Sequence, residues 1–235
     1  METEIPAMLR ARQDAAPERF TFHSSRMRMK SVTAEELAAM DADSERCAAE
    51  LSDARCDVMA YACLVAIMCQ APGYHKVSED RLTAVTGAND SPAPVVSSAG
   101  ALLEGLDAIG ARRVALVAPY VPALTGRVIE YMEAAGVEVL DRVSLGVADN
   151  VEVGRLDPEN LVDVAKRLDL TGADALVLSA CVQMPSLPVV QRVQDEAGLP
   201  VVTAAIATVH RILTVLGLAP VVPNAGALLV GSASA

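Results

Sequence analysis

Two cysteines stand in matching places, each directly after an apolar run, where a thiol can act as a nucleophile. One run covers residues 57–62 and ends at Cys63, and the other covers residues 175–180 and ends at Cys181. Such runs predict buried strands of a parallel sheet, and ligands of open α/β sheets bind at the carboxyl ends of the strands. The following helix would present its positive end, which favours thiolate. We therefore expect both thiols to have a lowered pKa.

Length and composition favour an α/β protein that binds a small molecule. The chain has 235 residues, 52% of them hydrophobic, with no tryptophan and two phenylalanines. A core of Ala, Val and Leu is typical of a parallel sheet covered by helices. The formal net charge of −11 argues against a nucleic-acid partner, because no basic stripe is present to meet phosphates. A small anionic substrate is still compatible, since N–H groups at helix ends can hold carboxylates.

The five cysteines predict reduced thiols rather than a metal site or a disulfide framework. They include no C-x-x-C pair and have no accompanying histidine cluster. The sequence shows no secretory signal and no apolar run of the roughly 18 residues that a membrane span needs. We therefore expect a cytoplasmic protein with no metal and no membrane partner.

Hydrophobic periodicity, together with the positions of helix-breaking glycines and prolines, predicts an alternation of helices and strands along the whole chain. In the first half we expect a helix over 1–12, a strand over 19–23, and a helix over 33–53 that a capping box at Thr33 and Glu36 opens. Residues 73–90 are polar and predict a loop around one short helix. The second half predicts strands at 113–118, 137–143, 174–181 and 200–202, alternating with helices at 122–135, 158–168, 185–197 and 204–216.

Three landmarks recur in the same order in the two halves, with nearly equal proline-to-cysteine spacing. They are Ile5-Pro-Ala-Met with Val121-Pro-Ala-Leu, Tyr61-Ala-Cys63 with Ser179-Ala-Cys181, and Pro94-Val-Val-Ser with Pro200-Val-Val-Thr. Duplication of a βαβ-type unit explains this order. We expect residues 1–97 with 203–235 to form lobe one and residues 98–202 to form lobe two, with one cysteine of each lobe in a shared cleft. The second half has a strand before its proline and the first has none, so the first strand of lobe one is expected to be missing.

Four segments carry a resemblance to a known family. They are Met1-Glu-Thr-Glu-Ile-Pro-Ala, Phe22-His-Ser-Ser-Arg-Met-Arg-Met, Ala60-Tyr-Ala-Cys63-Leu-Val-Ala and Leu178-Ser-Ala-Cys181-Val-Gln-Met-Pro. On these segments the sequence resembles the aspartate/glutamate racemase superfamily and, within it, the maleate isomerase (maleate cis–trans isomerase) family. The racemases usually follow their second cysteine with Thr-His, whereas this chain has Val-Gln. The resemblance implies two pseudo-symmetric, flavodoxin-like α/β lobes with parallel sheets and an active site between them.

The resemblance also implies an activity and the residues that perform it. The expected reaction is a cofactor-independent conversion of maleate to fumarate through a covalent cysteine adduct, a succinyl thioether, in a homodimer. Cys63 would be the nucleophile, and Cys181 would act on the opposite face as acid/base or as a stabiliser. Tyr120 and Asn150 match substrate-binding positions of the family. Backbone N–H groups that could hold the carboxylates belong to Leu64, Val65 and Val182.

Other functions are compatible with the same residues. A racemase or an arylmalonate-type decarboxylase would form a carbanion next to a carboxylate, and an inactive, truncated relative would only bind a ligand. Two thiolates beside a dianion repel each other, so we expect one of the two thiols to stay protonated. Cys47, Cys56 and Cys69 are expected to serve packing.

Overall fold

The computed structural model describes residues 2–230 and has an α/β fold with two parallel sheets, which confirms the predicted fold class. The smaller sheet pairs strand β1, Met59–Tyr61, with β2, Val95–Ser97. Its register places Tyr61 beside Ser97 at the carboxyl edge. Five helices precede β2: α1 Glu4–Ala11, α2 Ala34–Ala42, α3 Ser44–Ser52, α4 Leu64–Met68 and α5 Tyr74–Ala88.

The larger sheet has four parallel strands in the order β4-β3-β5-β6. Its central pair, β3 and β5, is completely buried except for the first residue of β3, as expected of strands covered by helices on both faces. The strands are β3 Arg113–Ala118, β4 Glu138–Ser144, β5 Ala175–Ser179 and β6 Val201–Thr203. The helices of this part are α6 Ser98–Ala108, α7 Pro122–Ala134, α8 Asn150–Val153, α9 Asn160–Ala165, α10 Leu187–Ala197 and α11 Ala204–Val215. The division into lobes at residues 97 and 203 stays a prediction.

The predicted strand over 19–23 is wrong, since these residues adopt no regular structure. An alternating pattern forms a strand only where a neighbouring strand offers its backbone groups, and no ladder partner for this segment occurs within residues 2–230. The side chain of Phe22 is 36% exposed, and the guanidinium carbon of Arg10 lies 5.3 Å from its ring centre. The segment therefore runs over the surface instead of extending the smaller sheet.

The one short helix predicted within residues 73–90 is instead the 15-residue helix α5, which takes up most of the segment that was expected to be loop. The buried face of this helix consists of His75, Ser78, Leu82 and Thr86, and three of these four residues are polar. Hydrophobic periodicity is therefore weak although the spacing of the buried residues is helical. Tertiary packing against neighbouring helices supplies the stability that local propensity lacks.

The predicted helix over 33–53 is two helices, α2 and α3, separated at Asp43. Thr33 caps α2 as expected, since its Oγ1 accepts from the N–H of Glu36 at 3.3 Å. Glu36 does not complete the capping box. Its Oε2 instead accepts from the N–H groups of Lys30 and Ser31, at 2.6 and 2.9 Å. The carboxylate thus holds the irregular segment that precedes α2.

None of the helices described within residues 2–230 combines the length and the apolar character that a membrane span needs.

Candidate active site

Cys63 lies at the carboxyl edge of the smaller sheet, two residues after β1, and is the N-cap residue of the short helix α4. Its backbone is extended, with φ −131° and ψ 94°, and the chain turns into the helix at Leu64. The N–H groups of Val65 and Ala66 face its sulfur and favour the charged form. The Cys63 thiol therefore lies between a strand and a helix, as the sequence predicts.

Burial nevertheless raises the pKa of the Cys63 thiol to about 12, so the expected lowering is wrong for this residue. Loss of water around the sulfur is the largest cause and outweighs the N–H groups of Ala66 and Val65. The nearby thiols of Cys181 and Cys69 raise the pKa further, because a second negative charge disfavours ionisation. Cys63 is therefore a protonated thiol at neutral pH.

Cys181 follows β5 at the carboxyl edge of the larger sheet and is buried, with 9% exposure. The helix predicted over 185–197 is α10, which begins two residues later than expected, at Leu187, and has Pro188 in its first turn. The N–H groups of Ser186 and Leu187 are moreover bonded to a carboxylate oxygen of Glu4, both at 2.6 Å. The positive end of α10 is therefore already engaged by a side chain of α1.

Tyr120 lies two residues after β3, and its side chain is next to both cysteines. Its hydroxyl donates to the carbonyl of Ala180 at 2.9 Å. Burial raises the pKa of this phenol well above its ordinary value, and the neighbouring thiols of Cys181 and Cys63 raise it further. Tyr120 is thus a neutral hydroxyl that fixes the backbone one residue before Cys181.

Asn150 is the first residue of the short helix α8, which follows β4 and forms a single helical turn. Asp149 caps this turn, since its Oδ1 accepts from the N–H groups of Val151 and Glu152 at 2.8 and 3.0 Å. The backbone of Asn150 joins two other segments. Its N–H donates to the carbonyl of Lys30 at 3.2 Å, and its carbonyl accepts from the side-chain amide of Gln183.

One cavity brings all seven sequence-predicted site residues together. Residues that follow β1, β3 and β5, at the carboxyl edges of the two sheets, line this cavity. Apart from the two thiols and the phenol, the described residues that line it carry no ionisable side chain. The predicted members are Cys63, Leu64, Val65, Tyr120, Asn150, Cys181 and Val182. The other lining residues are Met29, Val32, Ala62, Val153 and Gln183.

Sequence reasoning missed Met29, Val32 and Gln183. In residues 25–30, half-buried residues alternate with exposed ones, so Met27 and Met29 face inward while Arg28 and Lys30 face solvent. That alternation was visible in the sequence, although it does not reveal which cavity the methionines face. Gln183 was visible only as a departure from the racemase pattern.

A second cavity, between α1, α10 and residues 222–224, is lined by neither a thiol nor an ionisable side chain.

No group of three or more His, Cys, Asp or Glu side chains within residues 2–230 is arranged to hold a metal ion. The side chains that line the cavity supply two thiols, one phenol and the two carboxamides of Asn150 and Gln183, together with backbone N–H groups. Such a set can add a sulfur to an electron-poor carbon and hold carboxylates by hydrogen bonds.

Comparison with known proteins agrees with this arrangement. Residues 14–229 match the model of the family described as Arylmalonate decarboxylase. The chain is 62% identical over 232 residues to the maleate isomerase of Geobacillus stearothermophilus, covering 98% of this chain and 92% of that protein. It is similar to the crystal structure of the maleate isomerase Iso from Pseudomonas putida S16, with a TM-score of 0.97 and 55% identity, over 98% of this chain and 93% of that one.

A further similar structure shows a reaction intermediate. It is a cysteine-to-serine mutant of the Nocardia farcinica maleate cis–trans isomerase with a covalently bound succinylcysteine intermediate. The TM-score is 0.93 and the identity 48%, over 97% of this chain and 92% of that one. These identities over nearly the whole of both chains, together with the two-thiol cavity, show that the chain belongs to the maleate isomerase family.

Proposed function

We propose that this protein is a cofactor-independent cis–trans isomerase that converts maleate to fumarate. The observation that carries the proposal is the meeting of Cys63 and Cys181, one from each sheet, in a single cavity. Near full-length similarity to maleate isomerases supports it. Isomerisation needs the double bond to become temporarily single, and a thiol can do this without any redox step or metal.

The proposed reaction begins with a bond between the Cys63 sulfur and C2 of maleate. The electron pair of the double bond moves to C3 and its carboxylate, and the thiol of Cys181 delivers its proton to C3. The result is a succinyl thioether whose C2–C3 bond is single and rotates. Cys181 then takes the proton back from C3, the carbon–sulfur bond breaks, and the trans double bond of fumarate forms. The succinylcysteine seen in the Nocardia farcinica mutant is a precedent for this intermediate.

The Cys63 thiol has to lose its proton before it can attack, and in this proposal a water molecule at the mouth of the cavity accepts that proton and passes it to bulk solvent. Its pKa of about 12 reflects burial, which opposes the charge. The N–H groups of Val65 and Ala66 are already oriented to stabilise the thiolate, so they act once the proton has left. A dianionic substrate opposes a second thiolate even more strongly, and this is the reason that Cys181 is assigned the protonated role.

Binding of the dianion rests on neutral groups in this proposal. The backbone N–H groups of Leu64, Val65 and Val182 are the proposed carboxylate donors, with the amide of Asn150. The Val65 N–H also faces the Cys63 sulfur, so it serves the carboxylate and the thiolate in turn. The single proton of the Tyr120 hydroxyl is engaged by Ala180 at 2.9 Å, so this hydroxyl must release that carbonyl to donate to substrate.

We further propose that the protein acts in the cytoplasm as a homodimer and uses neither nucleic acid nor membrane as a partner. The charge of −11 and the reduced state expected of five free thiols support these assignments. Size-exclusion chromatography with light scattering tests the dimer, because a mass near 24.5 kDa would contradict it.

The experiment that tests the activity is conversion of maleate to fumarate, followed by proton NMR, for the unaltered chain and three cysteine variants. Cys63→Ser and Cys181→Ser are each expected to lose at least about 1,000-fold in kcat, because each removes a bond-making or proton-transferring group. Cys56→Ser is the matched control: Cys56 does not line the cavity, and this variant should keep full turnover. Near-full turnover by either of the first two variants would refute the two-thiol reaction.

Decarboxylation of an arylmalonate is the second candidate, favoured by the family model that matches residues 14–229. A carbanion next to a carboxylate needs one proton donor, whereas this cavity holds two thiols. A substrate panel separates the two reactions. Release of carbon dioxide from phenylmalonate without isomerisation of maleate would favour the decarboxylase, and deuterium exchange at Cα of an amino acid would favour a racemase.

A further inference from the structure

Glu4 of α1 is a buried carboxylate that holds the beginning of α10. Its side chain is 8% exposed. Its Oε1 accepts from the N–H groups of Ser186 and Leu187, both at 2.6 Å, and its Oε2 accepts from the Ser186 hydroxyl at 3.2 Å. A carboxylate in the protein interior is costly unless hydrogen bonds replace its water, and helix N-termini offer unpaired N–H groups for this purpose.

This cap comes from a distant part of the chain rather than from the local sequence. Serine at an N-cap position usually accepts from an N–H two or three residues later with its own hydroxyl. Ser186 makes no such bond, and its hydroxyl donates to Glu4 instead. The start of α10 is therefore fixed by α1, which is separated from it by 182 positions in sequence.

The segment between β5 and α10 carries the second thiol. Its residues Cys181, Val182 and Gln183 line the cavity. Tyr120 holds the near end through the Ala180 carbonyl, and Gln183 is joined to the backbone of Asn150. Glu4 fastens the far end, so the cavity wall is anchored on both sides of Cys181.

We propose that Glu4 is a positioning residue for Cys181: it holds the 181–186 segment so that the second thiol faces the substrate. The proposal rests on the proposed function only for the role of Cys181 in turnover. When the carboxylate is removed, the Ser186 and Leu187 N–H groups lose their partner and the segment relaxes away from its present path. A displacement of a reacting group by about 1 Å can cost about 100-fold in rate.

The test compares Glu4→Gln and Glu4→Ala with the unaltered chain. Glu4→Gln keeps the shape and one acceptor oxygen but removes the charge, and we expect kcat to fall about tenfold. Glu4→Ala removes both oxygens, and we expect kcat to fall about 100-fold. KM should change by less than about threefold in both variants, since the proposed carboxylate donors Leu64, Val65 and Asn150 lie outside the 181–186 segment and stay in place.

Site-specific alkylation provides a readout that general destabilisation would not give. Iodoacetamide labelling of Cys181 and Cys63 is followed by peptide mass spectrometry, and we expect the Cys181 rate to change at least about threefold while the Cys63 rate is unchanged. Asp174→Asn is the matched control. Its Oδ2 accepts from two successive N–H groups, those of Arg112 at 3.0 Å and Arg113 at 2.8 Å, at the opposite edge of the larger sheet. This variant should keep kcat and both labelling rates.

Three results would overturn the proposal: a kcat of Glu4→Gln within twofold of the unaltered chain, equal changes in labelling at both cysteines, or an equal loss in Asp174→Asn. If the unaltered chain does not isomerise maleate, the proposed function fails, while the ratio of the Cys181 alkylation rate to the Cys63 alkylation rate still decides the role of Glu4.

If neither Glu4 variant folds, the same ratio is measured in Ser186→Ala, which removes one hydrogen-bond donor to Glu4. An unchanged ratio in that variant would then refute the positioning role.

Discussion

The reactivity of Cys63 as a function of pH tests the balance of forces that sets its ionisation. The structure places its pKa at about 12, against an ordinary value of 9.0. At about pH 7.5 a thiol with this pKa is ionised in roughly one molecule in 30,000, compared with about one in 30 for an ordinary thiol. The thiolate that does form is more nucleophilic by about 20-fold, because nucleophilicity rises with pKa. The expected alkylation rate is therefore about 50-fold below that of an ordinary thiol.

The assay uses Cys181→Ser, so that only one thiol of the cavity is present, and follows iodoacetamide labelling of Cys63 by peptide mass spectrometry from about pH 7 to pH 10. The rate should rise about tenfold for each pH unit without a plateau, since the pKa lies above this range. Limited access of the reagent lowers the rate at every pH equally, so the slope is decisive. Free glutathione is the reference and should begin to level off near its own pKa.

A plateau of the Cys63 rate at or below about pH 8 would refute this reasoning. It would mean that the N–H groups of Val65 and Ala66 lower the pKa more than burial raises it. In that case the expectation drawn from the strand-to-helix position would be correct, and the thiolate would be present before substrate binds.

Two further predictions concern the walls of the cavity. Tyr120→Phe removes the hydroxyl that donates to the Ala180 carbonyl. We expect urea titrations to show a free energy of unfolding lower by about 1–3 kcal/mol, and we expect kcat to fall as well. An unchanged unfolding midpoint would contradict the role of this hydrogen bond. Hydrogen bonds from the Lys30 and Ser31 N–H groups lower the pKa of Glu36 from its ordinary 4.5, so its ionised form stabilises the fold above that value and this stability is lost as pH falls through the lowered pKa. Glu36→Gln should therefore show a smaller fall in melting temperature between about pH 5 and pH 3 than the unaltered chain, and an identical fall would count against it.

The neutral lining of the cavity has a consequence for any dianionic ligand. Among the described residues, no lysine, arginine or histidine side chain lines it, so the charge of a diacid must be met by N–H, O–H and carboxamide dipoles. Such dipoles are fixed by the fold and do not form ion pairs that would have to break during product release. The exposed cations Arg28 and Lys30 lie on the segment that carries Met29, outside the lining.

The sequence by itself determined which residues come together. The mostly apolar runs before Cys63 and Cys181 predict buried parallel strands, and parallel strands place the residues that follow them at one edge of a sheet. Tyr120 and Asn150 were assigned through the family resemblance, and the structure puts both in the same cavity. The placement of the two cysteines depends on local pattern and on the direction of strands, which a sequence records, whereas the placement of Tyr120 and Asn150 came from the resemblance.

The tertiary structure alone decided the charge state of Cys63, the cap of α10 and the course of residues 19–23. Burial of the Cys63 sulfur depends on atoms from both sheets, so a helix N-terminus seen in the sequence does not give the direction of the pKa change. The partner of Ser186 is Glu4, from the other end of the chain. An alternating segment forms a strand only where a neighbouring strand accepts it. Desolvation, helix capping by a distant residue and strand pairing all depend on residues that are far apart in the sequence and close in the fold. A local sequence pattern therefore does not predict them.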